Sequence, residues 1–304
     1  MDKMDEHSSA LGAQEAGRPA KRFDFSLIKE PLGELPQMIL GRLPPATVDP
    51  KSRLSMLLRL LVHVSANTWD SVKFICRKEY GEEGRRVEFA YVAPPLTRTL
   101  FETLFTVIYV CEKPEERSPQ YFKYGWASMV SYHDKMTALY SADPDYKEWL
   151  GLGEAEIEQI EQIVTPNAAD RANVEQIVKE KWPTPGRIKN AMAASAQKTF
   201  LEFLYERFYP SLSDDSHLSF PGLFRRGGHY LALAAGIDLA DLRERTRSMM
   251  VLDCLTIYVA LLTEISLQSP REDEKAKLRK VWEQLKVLED AGELYTRRYE
   301  AMLH

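Results

Sequence analysis

The chain has 304 residues, 44% of them hydrophobic and 28% charged, with a net charge of −5. That is apolar material for a large core, and length alone permits one large domain or two smaller ones. The acidic balance argues against a protein built chiefly to coat nucleic acid, although a local basic patch stays open.

Residues 1–22 are small, polar and charged, and are expected to form a disordered tail. Asp2, Asp5, Glu6 and Glu15 with no apolar run make neither a signal nor a transit peptide. A loop-like segment follows, punctuated by Pro31, Gly33, Pro36, Gly41, Pro44, Pro45 and Pro50. From there the chain reads as helix upon helix. Apolar residues at 54, 57, 58, 61, 64, 72 and 75 predict a core-facing helix over Lys51–Lys78, opened by Asp49-Pro50. The next helices are expected over Pro94–Cys111 and Ser118–Tyr140, each with a proline at its start.

Pro144 opens a short helix to Trp149, which Gly151 and Gly153 interrupt; Glu154–Val164 and Arg171–Trp182 follow as two more. These short helices are expected outside the main bundle. Ile188, Met192, Phe200, Leu201, Phe203, Leu204 and Phe208 describe one long helix over Arg187–Tyr209. A polar loop then runs to Pro221-Gly222. Asp238–Leu267 and Arg271–Met302 complete the set, separated by Ser269-Pro270. The window Met249–Ile265 contains Asp253 and Glu264 and falls short of a spanning helix. Arg86–Val92 is the single strand candidate, and no internal repeat is visible. The reading is all-α: a single multi-helix bundle over residues 23–304, with no membrane contact and a cytoplasmic location as the default.

Two polar anomalies interrupt this pattern. Arg98 and Glu102 are the only charges between Pro94 and Cys111, one turn apart. Exposed beside Thr99, Thr103 and Thr106 they form a solvated stripe; buried, they require further polar partners. The second anomaly is Tyr209-Pro-Ser-Leu-Ser-Asp-Asp-Ser-His217-Leu-Ser219. Its hydroxyls, carboxylates and imidazole suit helix capping, and equally an acid/base or anion site. Asp253 is the lone charge from Ser248 to Thr263 and is expected to find a partner in Arg98, His217 or a backbone donor. Arg59, His63, Asn67 and Asp70 line one face of the first long helix, as a solvated stripe does. Arg225-Arg-Gly-Gly-His229 is a weak anion cradle without a strand to anchor it. The three cysteines, Cys76, Cys111 and Cys254, sit apart in apolar settings as buried free thiols of a reducing compartment. No phosphate-loop, dinucleotide or zinc-protease motif is present, and no Glu-x-x-His pair, so no cofactor or metal is expected.

The segment Tyr209-x-x-Leu212-Ser213-x-x-x-His217-x-Ser219, together with Arg98-x-x-x-Glu102, resembles the signature of a bacterial all-helical family catalogued as a domain of unknown function. The resemblance spans about Lys51–Leu267 and implies that Arg98, Glu102, Tyr209, Ser213, His217 and Ser219 converge in one site. A looser likeness is to helical ribonuclease-like domains of toxin–antitoxin and abortive-infection systems, which pair an Arg and a His within a few residues. Here the nearest preceding arginine, Arg207, is too distant from His217 for that spacing.

The expected site is therefore a polar pocket of Arg98, Glu102 and His217, with Tyr209, Ser213, Ser219 and Asp253 around it. The preferred function is a non-catalytic module that binds a ligand or protein partner in stress or phage defence. The alternative is a metal-independent ribonuclease with His217 as acid/base, Arg98 as charge stabiliser and Glu102 as orienter. RNA and a second copy of the chain stay open as partners.

Overall fold

A computed structural model describes residues 26–45, 52–75, 93–216 and 240–304. Among these the regular elements are all helical, and no strand occurs. The strand candidate, the tail and the 225–229 cradle lie outside the described residues.

Helix α1 spans Ser26–Arg42, where the prolines predicted a loop. Ile28, Leu32, Leu35 and Ile39 fall on one helical stripe and are buried, so burial outweighs the loss of backbone bonds at Pro31 and Pro36. Helix α2, Arg53–Ile75, and helix α3, Ala93–Glu112, agree with the periodicity. Arg59 of α2 is no idle surface charge. Its Nη1 donates to the carbonyls of Leu40 and Leu43, both at 2.7 Å, and so caps the end of α1.

Helix α4, Pro114–Tyr140, begins a turn earlier than expected: Pro114 occupies the first turn, with Glu115 and Glu116 beside it. After a 3₁₀ turn at Pro144–Tyr146, α5 runs unbroken over Lys147–Val164. Its glycines do not interrupt it. A Cβ at Gly153 would lie 3.0 Å from the His133 ring, so glycine there permits the close approach of α4. Helices α6, Ala168–Ala172, and α7, Val174–Glu180, follow; α5 and α7 pack on α4.

The expected helix over Arg187–Tyr209 is two helices: α8, Pro185–Ala191, and α9, Lys198–Ser216. Ile188 and Met192 before the turn and Phe200 and Leu201 after it are all buried, so packing rather than a breaker residue sets the bend. Helix α9 also runs past Tyr209 and through Pro210. Leu212 extends the buried stripe of Leu201, Leu204 and Phe208 by one more turn, and what read as a polar loop is helical to Ser216.

Helix α10, Ala240–Leu267, packs along α3 and against α2. Within it Ser248–Leu267 is long and apolar enough to cross a membrane by length and composition, contrary to the shorter window read from sequence. It is instead the core strut, continuously buried from Cys254 to Ser266. The last expected helix is divided into α11, Glu272–Leu285; α12, Glu289–Leu294; a π-helical turn, Tyr295–Tyr299; and α13, Glu300–Leu303. A Cβ at Gly292 would stand 2.7 Å from the carbonyl of Lys286, so the tight α11–α12 turn depends on glycine.

Candidate functional site

Helix α3 buries Leu100, Phe101, Leu104, Phe105, Val107 and Ile108, leaving a narrow polar edge. Arg98 and Glu102 lie on that edge. The Nε of Arg98 donates to Oε1 of Glu102 at 2.8 Å; the arginine side chain is 17% exposed and the carboxylate 45%. The pair is thus at the surface rather than in a closed core, and its own contribution is a few tenths of a kcal/mol, ~0.3.

The arginine has a second attachment. Its guanidinium carbon lies 5.6 Å from the centroid of Tyr209, and Tyr209 stacks on Tyr205 at 4.6 Å and 17°. The Nζ of Lys189 lies 4.6 Å from the centroid of the Tyr205 ring. A Cβ at Gly186 would come within 3.2 Å of the Tyr205 hydroxyl, so this glycine lets α8 close on the stack. Two cations and two rings therefore bind α3, α9 and α8 together.

Of the expected site, the structure brings Arg98, Glu102 and Tyr209 together. Ser213, half-buried, follows Tyr209 by one turn on the same face of α9. His217 and Ser219 lie outside the described residues. Among the described residues no hydrogen bond or ion pair joins Asp253 of α10 to Arg98; His217, the other side chain expected as its partner, lies outside them. Burial, and secondarily Asp290, push the Asp253 carboxyl up to about 7, with Arg207 opposing. Arg207 itself is bonded to Asp290, its Nη2 donating to Oδ2 at 2.6 Å. Burial thus favours the neutral carboxyl of Asp253.

Glu102 also faces a feature that sequence reasoning missed. It lines a cleft of about 280 Å³ between the polar edge of α3, Tyr121 of α4 and the segment Trp182–Pro185. Thr99 and Thr103 line the same wall and donate their hydroxyl protons to the carbonyls of Pro95 (3.2 Å) and Thr99 (2.8 Å). Their oxygens are left as acceptors. The Trp182 indole N–H donates to Thr106 Oγ1 at 3.3 Å, and its ring stands perpendicular to Tyr121 at 4.8 Å. In the sequence Trp182-Pro-Thr-Pro185 reads as a stop between helices. Its proximity to α3, 76 positions away, leaves no local signal.

With this geometry in view, the chain belongs to a family of unknown function, DUF5677, whose model matches residues 57–229. The match takes in Arg98, Glu102, Tyr209, Ser213, His217, Ser219 and the cleft; Asp253, α1 and α10 to α13 lie beyond it. No curated protein and no solved structure matches the chain.

Proposed function

We propose that this chain is a non-catalytic ligand-binding module, and that its ligand is a small organic cation, an amine or guanidine, held in the cleft beside Glu102. The observation that carries this reading is the acceptor-rich wall of that cleft. Thr99 and Thr103 have given their protons to the helix backbone, and Glu102 adds a carboxylate. Only Oε1 of Glu102 is engaged by Arg98; its other oxygen accepts no hydrogen bond from a described residue. Such a wall suits a ligand rich in N–H donors, and the perpendicular rings of Tyr121 and Trp182 suit a cation. In the stress or phage-defence setting expected from the sequence, occupancy of the cleft would be what a partner reads.

The non-catalytic choice rests on Arg98. It is held by Glu102 and Tyr209, where a nuclease needs it aimed at a phosphate. The test is calorimetric titration with agmatine and with tetramethylammonium, using an uncharged diol as control. Agmatine is expected to bind wild type, and Glu102→Gln or Trp182→Leu to weaken it at least tenfold. Failure of both cations to bind folded wild type would overturn the cleft assignment, as would affinities that neither substitution changes. Cleavage of RNA by wild type that is lost in His217→Ala, with the melting temperature kept, would overturn the non-catalytic reading.

A further inference from the structure

A second cavity lies between α1, α2 and α10, on a different side of α2 from the cleft and built largely from helices outside the family match. Its volume is about 650 Å³, within the range of small-molecule sites. Ile28, Leu32, Pro36, Trp69, Val251 and Tyr258 supply its walls, and Trp69 is stacked on Tyr258 at 5.8 Å.

Charge at this cavity is uneven. Lys29, Lys73 and Asp70 line it. Lys73 is shared between Asp70, at 2.5 Å, and the face of Trp69, 5.6 Å from the ring centroid. Lys29 makes no ion pair with any described residue. Glu34, further along α1, is bonded to Lys277 of α11. Two ammonium groups thus face one carboxylate, beside an apolar interior.

Gly33 adds an independent observation. It sits in mid-helix, where glycine is less favourable than alanine, yet a Cβ there would meet nothing within 4 Å. Neither a positive φ nor a close backbone approach calls for glycine at this position. What its missing side chain does is leave the cavity open, since Gly33 is part of the lining.

We infer that the cavity between α1, α2 and α10 is a second binding site, and that it takes a small amphipathic carboxylate. The apolar body lies against Trp69, Leu32 and Val251, and the carboxylate is met by Lys29 at the rim. The charge balance selects the anion: an amine of the same length would face two ammonium groups, and an alcohol would forgo the ion pair. The site is separate from the cleft at Glu102, so its fate in the test does not depend on that reading.

The experiment is calorimetric titration of the full chain with decanoate, decylamine and decanol. Decanoate is expected to bind at least tenfold more tightly than the other two. Lys29→Glu should weaken it at least tenfold, and Gly33→Leu, which fills the cavity, should abolish binding. Gly33→Ala serves as the folding control and is expected to raise the melting temperature. Absence of decanoate binding to wild type would sink the proposal. Equal binding of decylamine would sink it too, as would decanoate affinity unchanged in Lys29→Glu. Should Gly33→Leu fail to fold, Lys29→Glu and the three-ligand comparison decide the question alone.

Discussion

Arg298 grips both oxygens of Glu264 inside the protein: its Nη2 donates to Oε2 at 2.8 Å and its Nε to Oε1, with the two side chains 9% and 3% exposed. The arginine comes from the π-helical turn Tyr295–Tyr299, whose extra residue per turn brings Arg298 and the buried Tyr299 toward α10. The guanidinium also covers Phe200 of α9 at 4.8 Å. A carboxylate in the continuously buried stretch of α10 is thereby neutralised, and three elements are joined at one point.

Removing one partner leaves a buried charge uncompensated. Arg298→Met is therefore expected to destabilise the protein by about 3–5 kcal/mol. The double variant Arg298→Met with Glu264→Met should recover most of that loss, because no charge then remains buried. Urea denaturation of the four members of the cycle measures both quantities, and a double variant no more stable than Arg298→Met would contradict the account.

Two glycines should respond in opposite directions. Gly292→Ala places a Cβ 2.7 Å from the Lys286 carbonyl and is expected to cost about 1–3 kcal/mol as the α11–α12 turn shifts. Gly151→Ala meets nothing within 4 Å on an exposed helical face and should gain roughly 0.5–1 kcal/mol. Thermal melts of the pair separate close backbone approach from helix propensity.

The glycines also show where sequence reading stops. Helices such as α2 and α3 were legible because their apolar periodicity is local. Helix α1 carried the same stripe, Ile28 to Ile39, but its prolines outweighed the stripe in the reading. The bends at 192–197 and 286–288 have no breaker of their own; burial on both sides and one backbone contact at Gly292 create them. The site divides in the same way. Arg98–Glu102 is an i, i+4 pair and was visible from spacing. The Trp182 wall and the Glu264–Arg298 pair join residues 76 and 34 positions apart, which no pattern within either segment announces.

Cys111 should be chemically quiet in the folded protein. Burial, with a smaller contribution from the Glu264 carboxylate, pushes its thiol up to about 12. Only a trace of thiolate is then present at neutral pH, and the thiolate is the nucleophile. Iodoacetamide at pH 8, followed by peptide mass mapping, should modify Cys111 only after denaturation. Rapid labelling of the native protein would contradict this.

Asp253 makes the stability pH-dependent. Its carboxyl titrates near 7 when folded and near the ordinary aspartate value when unfolded, because burial penalises the anion and Asp290 adds to the penalty. Between those two values the unfolded chain has already lost the proton that the folded chain retains. The stability contribution is therefore fully present below about pH 4, declines as pH rises, and is lost once pH passes 7. Asp253→Asn preserves the neutral form at every pH. It should change little at pH 4 and raise stability by about 1–2 kcal/mol at pH 8, less than the full shift converts to because the residue keeps partial access to water. Denaturant midpoints for wild type and Asp253→Asn across pH 4–8 test this. Parallel curves would show that Asp253 ionises in the folded protein as it does in the unfolded one. Curves that diverge toward alkaline pH, with the variant above, are the expected result. They would show that the folded protein keeps Asp253 neutral where the unfolded chain has ionised it.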